Sequence, residues 1–358
     1  MKNNFKTILI LNHHGLGDTI LSIPMIYMLK KIFPFSRTII TVQSKKEKEV
    51  LSSFLTIDKY IIFGQIKSSL YKLSVLSTIK NLYRRINILL WLRHQHIDLT
   101  IFTQSIKSWF VVIYAFLTNS KIRIGLSKCD LRFLLTHIVK DKNVHWVIKN
   151  LMLLESLNIK VNYSNILDLV PPLIIKNSIR NKIDQMTDFK DKKYLAVSPF
   201  SGPVLKQKRW PIDKFGRLIS LISKKKDMII FLLGGKEDLV GNKELKKYII
   251  NKNVINLVGK LSILEVTSLL SKCDLTIGAD IGLMHLSSIC GSKTLTLFGP
   301  TDYKIAAPFF SRNVTIKSKI NCAPCYKEGG KIKCKKPICM EKIEIENVKK
   351  YLEKILGT

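Results

Sequence analysis

A short loop near the N terminus contains the first residue that could do acid–base chemistry. The loop, His14 to Asp18, joins an apolar run to a helical pattern, so its backbone amides and Asp18 would face the edge of a sheet. An aspartate at a helix start either caps the helix or, in a cleft, serves as a general base toward a hydroxyl. Gly15 and Gly17 belong to the same candidate cleft. Ile20 replaces the third glycine of a dinucleotide-binding fingerprint, which disfavours a dinucleotide.

A second candidate loop, Ser198 to Pro211, follows a strand in the C-terminal half and ends just before a helix. Its hydroxyl and glycine positions suit a turn that contacts phosphate, and its cations can bind a diphosphate. Basic side chains in a surface loop are often simply solvated, so both interpretations stay open. The residues concerned are Ser201, Gly202, Lys206, Lys208 and Arg209, whereas Trp210 is expected to pack.

Two further turns in the C-terminal half carry acids after predicted strands. In the segment Gly278 to His285, Asp280 can accept hydrogen bonds from sugar hydroxyls, and Gly282 allows a ligand close to the backbone. A single histidine such as His285 on a helix is usually structural. After the next strand, Thr301 and Asp302 can reach the same cleft.

Four cysteines lie close together near the C terminus. Cys322, Cys325, Cys334 and Cys339 follow one another with two, eight and four intervening residues, and the first spacing resembles a zinc finger. The second pair is less typical, so reduced or occasionally oxidised thiols are the competing interpretation. The chemistry elsewhere in the chain needs no metal, and we therefore expect none.

The elements that must position these loops alternate between strand and helix. The N-terminal half reads as a buried strand, a helix from Asp18 to about Ile32, a long basic helical stretch from Ser68 to Arg93 and further strands; the C-terminal half repeats the alternation. Such alternation predicts the α/β class with parallel sheets. Pro171 and Pro172 interrupt it. We expect one domain over 1–170, a second over 171–342, a closing helix over 343–358, and a ligand cleft facing both sheets.

Composition sets limits on the partners. The 358 residues include 59 Lys and Arg against 26 Asp and Glu, a net charge of +33 that attracts anionic partners, although compositional bias toward lysine explains it equally well. The apolar run Trp109 to Leu117 is too short to cross a bilayer. The first apolar run predicts a strand and not a signal peptide, and seven cysteines in a large chain favour a reducing cytoplasm. Basic residues without interleaved aromatics leave nucleic acid unsupported.

Several motifs, in order along the whole chain, resemble glycosyltransferase family nine, the heptosyltransferases of lipopolysaccharide core synthesis. They are GLGDTILSIP, KRWP, DIGLMHL, LFGPTD and CAPCYK…CMEKI. The resemblance implies a GT-B architecture of two Rossmann-like, doubly wound domains facing a central cleft, with the acceptor on the first domain and a nucleotide sugar on the second. It further implies inverting transfer of heptose from ADP-heptose to the inner core, Kdo-lipid A or heptosylated core, without a cofactor.

The resemblance also implies roles for individual residues. Asp18 matches the family's proposed catalytic base, and Lys208 matches the lysine at the donor's phosphates and sugar. Ser201 lies near the sequence position at which the family has a hydroxyl residue that contacts the diphosphate, and Gly202 belongs to the same loop. Ile281 stands where many relatives have Ser or Thr, which leaves the donor sugar open. The remaining donor positions are Glu237 near the ribose, Leu261 near the base, and the motif residues Asp280, Gly282, Leu283 and His285.

Other functions remain open at this stage. The same fold could use another nucleotide sugar for O-antigen, capsule or another glycan, or the chain could be a non-catalytic sugar- or glycolipid-binding relative. Because acceptors of the family are phosphorylated glycolipids, the basic surface also predicts peripheral attachment to the cytoplasmic face of the inner membrane. The helical stretch from Lys67 to Arg93 is the expected place for that contact.

Overall fold

A computed structural model describes residues 5–64, 75–103, 109–202, 206–326, 332, 334 and 336–357, with the backbone alone over 75–82. The chain forms two compact units, Met1–Pro172 and Leu173–Thr358. Within the described residues, no helix has the length and apolarity needed to cross a bilayer.

The N-terminal unit is a six-stranded parallel sheet with flanking helices. Its strands are β1 (Thr7–Leu11), β2 (Arg37–Val42), β3 (Lys59–Ile62), β4 (Leu99–Phe102), β5 (Ile122–Leu126) and β6 (His137–Val139). Its helices are α1 (Leu16–Leu21), α2 (Ile23–Ile32), α3 (Lys45–Ser52), α4 (Val75–Arg93), α5 (Trp109–Leu117) and α6 (Trp146–Glu155). The strand order is β3-β2-β1-β4-β5-β6, and every residue of β1 is buried, as expected where helices cover both faces of a parallel sheet.

The C-terminal unit repeats this plan. Its strands are β7 (Lys193–Ser198), β8 (Met228–Leu232), β9 (Val254–Asn256), β10 (Leu275–Ala279), β11 (Lys293–Phe298) and β12 (Asn313–Lys317). Its helices are α7 (Asn177–Met186), α8 (Ile212–Ile222), α9 (Leu239–Leu245), α10 (Ile263–Leu270), α11 (Gly282–Ile289), α12 (Tyr303–Ala306), α13 (Ile338–Glu341) and α14 (Ile345–Leu356). The order β12-β11-β10-β7-β8-β9 is the same order read from the other edge.

Both sheets reverse their strand order next to the first strand of the unit. β1 pairs in parallel with β2 and β4, and β7 pairs in parallel with β8 and β10. Ligands of doubly wound folds bind beyond the carboxyl ends of the strands at this reversal. The α/β class with two doubly wound parallel sheets, expected from the alternation of strands and helices, is confirmed.

Several local predictions need correction. The single helix expected from Asp18 to Ile32 is two helices separated at Ser22, because Pro24 has no amide hydrogen to continue the ladder of α1 and instead lies in the first turn of α2. The helix expected from Ser68 is described from Val75 onward, and 65–74 lie outside the described residues.

The C-terminal helix α14 packs on α8 and β11 within the second unit, with Val348 and Leu352 fully buried. Trp210 joins the same core, and its indole nitrogen donates a hydrogen bond to the Ile343 carbonyl oxygen at 3.0 Å. The expectation that Trp210 packs is confirmed.

Candidate active site

Asp18 lies in the first turn of α1, directly beyond the carboxyl end of β1. The N-cap position belongs to Gly15, in extended conformation, and Asp18 is the third helical residue. The alternative that Asp18 is the N-cap is therefore wrong, although its charge still suits the positive end of the helix. Its side chain is partly exposed, as a group that meets a substrate must be.

Two histidines to which the sequence analysis gave no role lie where this loop begins. Burial lowers the pKa of His13 to about 3, helped by His14 and Arg85, and the hydroxyl of Thr41 lies 3.1 Å from His13 Nε2. His13 is therefore neutral at physiological pH. Burial also lowers the pKa of His14, whereas the carboxylate of Asp18 raises it. A pair of histidines between a buried strand and a glycine loop was the available signal.

A buried amide holds the loop after β1 in place. Asn12 donates from Nδ2 to Thr19 Oγ1 at 2.9 Å and accepts from Thr103 Oγ1 at 3.4 Å. Thr103 follows β4, so this network joins the ends of the two strands at the reversal point. At Gly15 a Cβ would meet open space, so no close approach requires that glycine. Gly17, the other glycine of the predicted cleft, lies in the first turn of α1.

The C-terminal unit holds an ion pair at the corresponding position. Lys208 Nζ lies 2.7 Å from Asp280 Oδ2, and both side chains are largely buried. Burial alone would raise the pKa of Asp280, but the ammonium of Lys208, then His285, holds it below its ordinary value. His285 Nε2 is 4.0 Å from Asp280 Oδ1, and the nearby hydroxyl of Thr301 also helps to keep the pKa of this carboxyl low. Four predicted site residues thus meet in one cluster.

The loop after β7 supports this cluster without supplying all the cations expected. Arg209 donates from Nε to the Ser201 carbonyl and hydroxyl oxygens at 3.1 and 3.2 Å, and from Nη2 to the Gly202 carbonyl at 3.2 Å. The guanidinium of Arg209 thus holds its own loop, and its contact with a diphosphate stays a prediction. Lys206 is exposed. Residues 203–205 lie outside the described ones, and Lys208 carries the buried charge.

The first turn of α11 presents backbone amides beside Asp280. Gly282 begins the helix, and Ile281 occupies the N-cap with a side chain that has no acceptor for those amides. Leu283 is partly buried and His285 is buried in the same helix. Unsatisfied amides at a helix start attract anionic groups, so this turn offers an anion a second binding group beside Lys208. Neighbouring Asp302, predicted to reach the cleft, caps α12 by accepting from the Lys304 amide at 2.9 Å.

Two softer predictions lie farther along the same edge of the sheet. Glu237 is exposed in the turn after β8, and Leu261 is partly buried after β9. The Gly259 amide donates to the Gly234 carbonyl at 2.9 Å, which ties these two loops together. The candidate donor residues therefore follow the carboxyl ends of β10, β7, β8 and β9 in order, a span of roughly 14 Å at about 4.8 Å per strand.

Tyr326 belongs to this site although sequence reasoning did not single it out. Its ring centroid lies 5.7 Å from Lys208 Nζ. Its amide and that of Cys325 donate to the Pro300 carbonyl at 2.8 and 2.9 Å. These two hydrogen bonds hold the segment around Cys325 against the turn after β11. Nothing in the composition of that segment pointed to Tyr326.

Cys339 and Met340 also pack against the turn after β11. A Cβ at Gly299 would lie 2.5 Å from Met340 Sδ and 2.8 Å from Cys339 Sγ, so the turn requires glycine. Cys339 is buried, and Cys322, Cys325 and Cys334 are exposed. Burial and the neighbouring thiols raise the pKa of Cys325. Among the residues that the structure describes, no three His, Cys, Asp or Glu side chains are arranged to hold a metal ion.

Comparisons with known proteins converge on one family. A model of glycosyltransferase family 9 (heptosyltransferase) matches residues 89–336. The chain is 29% identical to lipooligosaccharide heptosyltransferase 2 of Campylobacter jejuni over 353 residues, which cover 94% of this chain and 96% of the relative. Its fold resembles a Veillonella parvula family 9 glycosyltransferase with a TM-score of 0.77 at 20% identity, covering 100% and 99% of the two chains. Escherichia coli ADP-heptose lipopolysaccharide heptosyltransferase II superposes with a TM-score of 0.74 at 16% identity, covering 98% of each.

Proposed function

Because this chain belongs to glycosyltransferase family 9, we propose that it transfers heptose from ADP-heptose to the inner core of a lipopolysaccharide, Kdo-lipid A or heptosylated core. The family makes the chain a glycosyltransferase, which removes a non-catalytic binding protein from consideration. Heptose transfer in lipopolysaccharide synthesis is the activity that its relatives support. The proposal goes beyond this activity in naming ADP-heptose as the donor and the inner core as the acceptor.

The observation that carries the proposal is the ion pair between Lys208 and Asp280 at the strand reversal of the C-terminal unit. A nucleotide sugar brings a diphosphate, which suits the ammonium of Lys208 and the amides of α11, and sugar hydroxyls, which suit the carboxylate of Asp280. Glu237 and Leu261, over the next two strands, would accommodate the ribose and the base.

The transfer itself exchanges one bond at the anomeric carbon for another. The acceptor hydroxyl oxygen forms a bond to that carbon while the bond to the diphosphate oxygen breaks, and the electron pair leaves with ADP. Lys208 and the α11 amides would stabilise the charge growing on the diphosphate. Asp18 would take the hydroxyl proton as general base. One displacement inverts the anomeric centre, and the proposal requires no cofactor because these fixed groups carry the charge.

The acceptor and the place of action are also part of the proposal. We propose an anionic glycolipid acceptor, held by the N-terminal unit at the cytoplasmic face of the inner membrane. The net charge of +33 supports this, because a basic exterior is attracted to an anionic leaflet. Of the stretch Lys67 to Arg93 expected to make the contact, 67–74 lie outside the described residues and the rest forms α4.

A panel of nucleotide sugars tests the donor assignment. ADP-heptose at about 100 times its dissociation constant should stabilise the protein by roughly 2.7 kcal/mol and raise the melting temperature. UDP- and GDP-linked sugars should leave the melting temperature unchanged, and ADP-glucose should stabilise less. Stabilisation by a UDP or GDP sugar, with no response to ADP-heptose, would contradict the proposal.

A second donor class has one observation in its favour. Ile281 places an apolar side chain at the N-cap of α11, beside the carboxylate that would bind the sugar. Because a hydroxyl stands there in many relatives, another nucleotide sugar for O-antigen, capsule or another glycan is the alternative. The same panel distinguishes the two, since only the alternative predicts a response to a different sugar.

A further inference from the structure

Helix α5 is apolar on every side, although one side faces solvent. The helix contains no charged residue, and its inward positions Val111, Val112, Tyr114 and Ala115 are buried. Apart from the half-exposed Phe110, its exposed or half-exposed positions recur at i, i+4, i+7 and i+8, the spacing of a single helical face. This α5 outer face consists of Trp109, Ile113, Phe116 and Leu117. A helix that is apolar all round is normally covered all round.

Phe133 enlarges the surface. The short helical turn Arg132–Leu134 packs against α5, and the Phe133 side chain is 73% exposed. Arg123 connects the two segments, because its Nε donates to the Leu134 carbonyl at 2.8 Å and its guanidinium lies 5.4 Å from the Phe116 ring centroid. The α5 outer face and Phe133 therefore form one aromatic surface.

Cations border this surface. Arg85 lies 5.3 Å from the ring centroid of Phe110, the residue after Trp109. Lys128 and Arg132, both exposed, line with Phe133 a shallow, open depression of the surface. The acid that pairs with Lys128 is Asp141, whose side chain is buried. The border therefore presents positive charge to any partner of the aromatic rings.

Charge and length select the occupant. A second copy of the chain carries the same net charge of +33 and would be repelled from a basic border. An anionic bilayer is attracted by each lysine or arginine near it. Aromatic side chains favour the level of the lipid headgroups. The nine residues of α5 are too few to cross a bilayer but enough to lie along its interface.

The aromatic surface begins at the edge of the sheet where Asp18 lies. Trp109 starts the helix that follows β4, and Phe133 lies in the connection after β5, so both are near the carboxyl ends of strands. β4 pairs with β1, which leads into the loop of Asp18. A lipid-anchored acceptor at this surface would bring its sugars to the edge that carries the proposed base.

We propose that the α5 outer face and Phe133 dock the N-terminal unit on an anionic lipid bilayer, with the rings among the headgroups and the bordering cations on lipid phosphates. The inference rests on the proposed function, because a glycolipid acceptor is what brings the enzyme to a membrane. It moves the expected contact from the Lys67 to Arg93 stretch to the neighbouring helix.

Trp109 supplies a direct probe of this contact. It is 61% exposed, whereas Trp146 and Trp210 are 6% and 1% exposed and Trp91, in α4, is partly buried. Vesicles containing phosphatidylglycerol, added to the full-length protein, should shift the tryptophan emission to the blue, and phosphatidylcholine vesicles should not. A Trp109→Phe variant should still bind the vesicles but lose the shift. An unchanged emission spectrum with anionic vesicles overturns the proposal.

Flotation tests the surface independently of fluorescence. The double variant Trp109→Ser/Phe133→Ser should partition onto anionic vesicles at least about tenfold less than the parent, because it lacks the two rings that the bilayer would bury. The matched control is Phe35→Ser/Ile250→Ser, at side chains 99% and 79% exposed elsewhere on the molecule, which should float like the parent. Equal flotation of parent and double variant overturns the proposal. So does a parent dimer that the double variant converts to a monomer, since the surface would then bind a second copy.

Donor-induced stabilisation, measured on the same proteins, separates this inference from the proposed function. The double variant should keep the parent's melting-temperature rise with ADP-heptose, because the donor residues lie in the C-terminal unit. Vesicle binding through Trp109 without any donor response would refute the proposed function and leave the docking surface standing. A donor response without vesicle binding would refute the docking surface alone.

Discussion

In the N-terminal unit the strand order reverses beside a partly exposed carboxylate, Asp18, whereas in the C-terminal unit it reverses beside the buried ion pair of Lys208 and Asp280. The two sheets have the same order, so topology does not explain the difference. A buried charge must be paired, and the pair makes the second site part of its unit's stability. A partly exposed carboxylate such as Asp18 contributes less to stability, because water screens its charge. The comparison supports the proposed division, in which the C-terminal site binds the donor and Asp18 takes part in the reaction.

Removing Lys208 should produce the largest change, because it affects both binding and stability. In Lys208→Met the carboxylate of Asp280 stays buried without its ammonium, which should lower the free energy of unfolding by about 3 kcal/mol. Turnover should fall roughly 10²- to 10³-fold, the scale for a lost charge-stabilising group. Denaturant unfolding and steady-state kinetics measure the two effects.

Lys182→Met provides the matched control for that variant. Lys182 pairs with Glu265 in the same unit, but its side chain is 54% exposed, so its loss should change stability by less than about 1 kcal/mol. Equal destabilisation by the two substitutions would remove the contrast between a buried and an exposed pair.

Removing the charge of Asp18 should affect the reaction alone. Asp18→Asn should lower turnover roughly 10²-fold, the scale for lost general-base catalysis, with donor affinity and melting temperature nearly unchanged. Asp213→Asn is the control, because Asp213 is likewise an acid in the first turn of a helix, α8. If Asp18→Asn kept turnover within a few-fold of the parent, or lowered the melting temperature as much as Lys208→Met, the division of roles would fail.

The smallest expected effect is a pH dependence of the stability that Lys208→Met loses. In the parent, the pKa of Asp280 is below its ordinary value of 3.8, so its favourable contribution is present above that pH and is lost only as pH falls further. In the variant, burial would raise that pKa above the unfolded value, and the destabilisation would shrink as pH falls through it. The stability difference between parent and variant should therefore narrow by on the order of 1 kcal/mol between pH 7 and pH 5. If the stability difference between parent and variant did not change with pH, the lost stability would not come from the unpaired carboxylate of Asp280.

Local sequence predicted the loops of the site because their residue types have few alternative uses. A buried apolar run followed by Gly278 to His285 indicates a parallel strand and the start of a helix wherever it occurs. Asp280, Lys208, His285 and Thr301 were each predicted from such loops, and the structure brings all four together. The helix break at Ser22 was missed because Pro24 is compatible with both a kinked helix and a new one.

Which side chains pair with each other, by contrast, depends on contacts between segments that are distant in the sequence. Arg209 and Lys208 are neighbours in sequence, yet Arg209 binds its own loop and Lys208 binds Asp280, 72 residues away. Tyr326 reaches Lys208 only because its segment is seated on Pro300. No periodicity reports such pairings.

The amino-acid sequence alone determined the class of the fold, the position of most candidate loops and the sign of the net charge, because these follow from hydrophobic spacing and composition. The tertiary structure decided which charges neutralise each other and which apolar faces remain uncovered, as the outer side of α5 illustrates. The physical reason is that burial and pairing arise only when strand order brings segments far apart in the chain into contact.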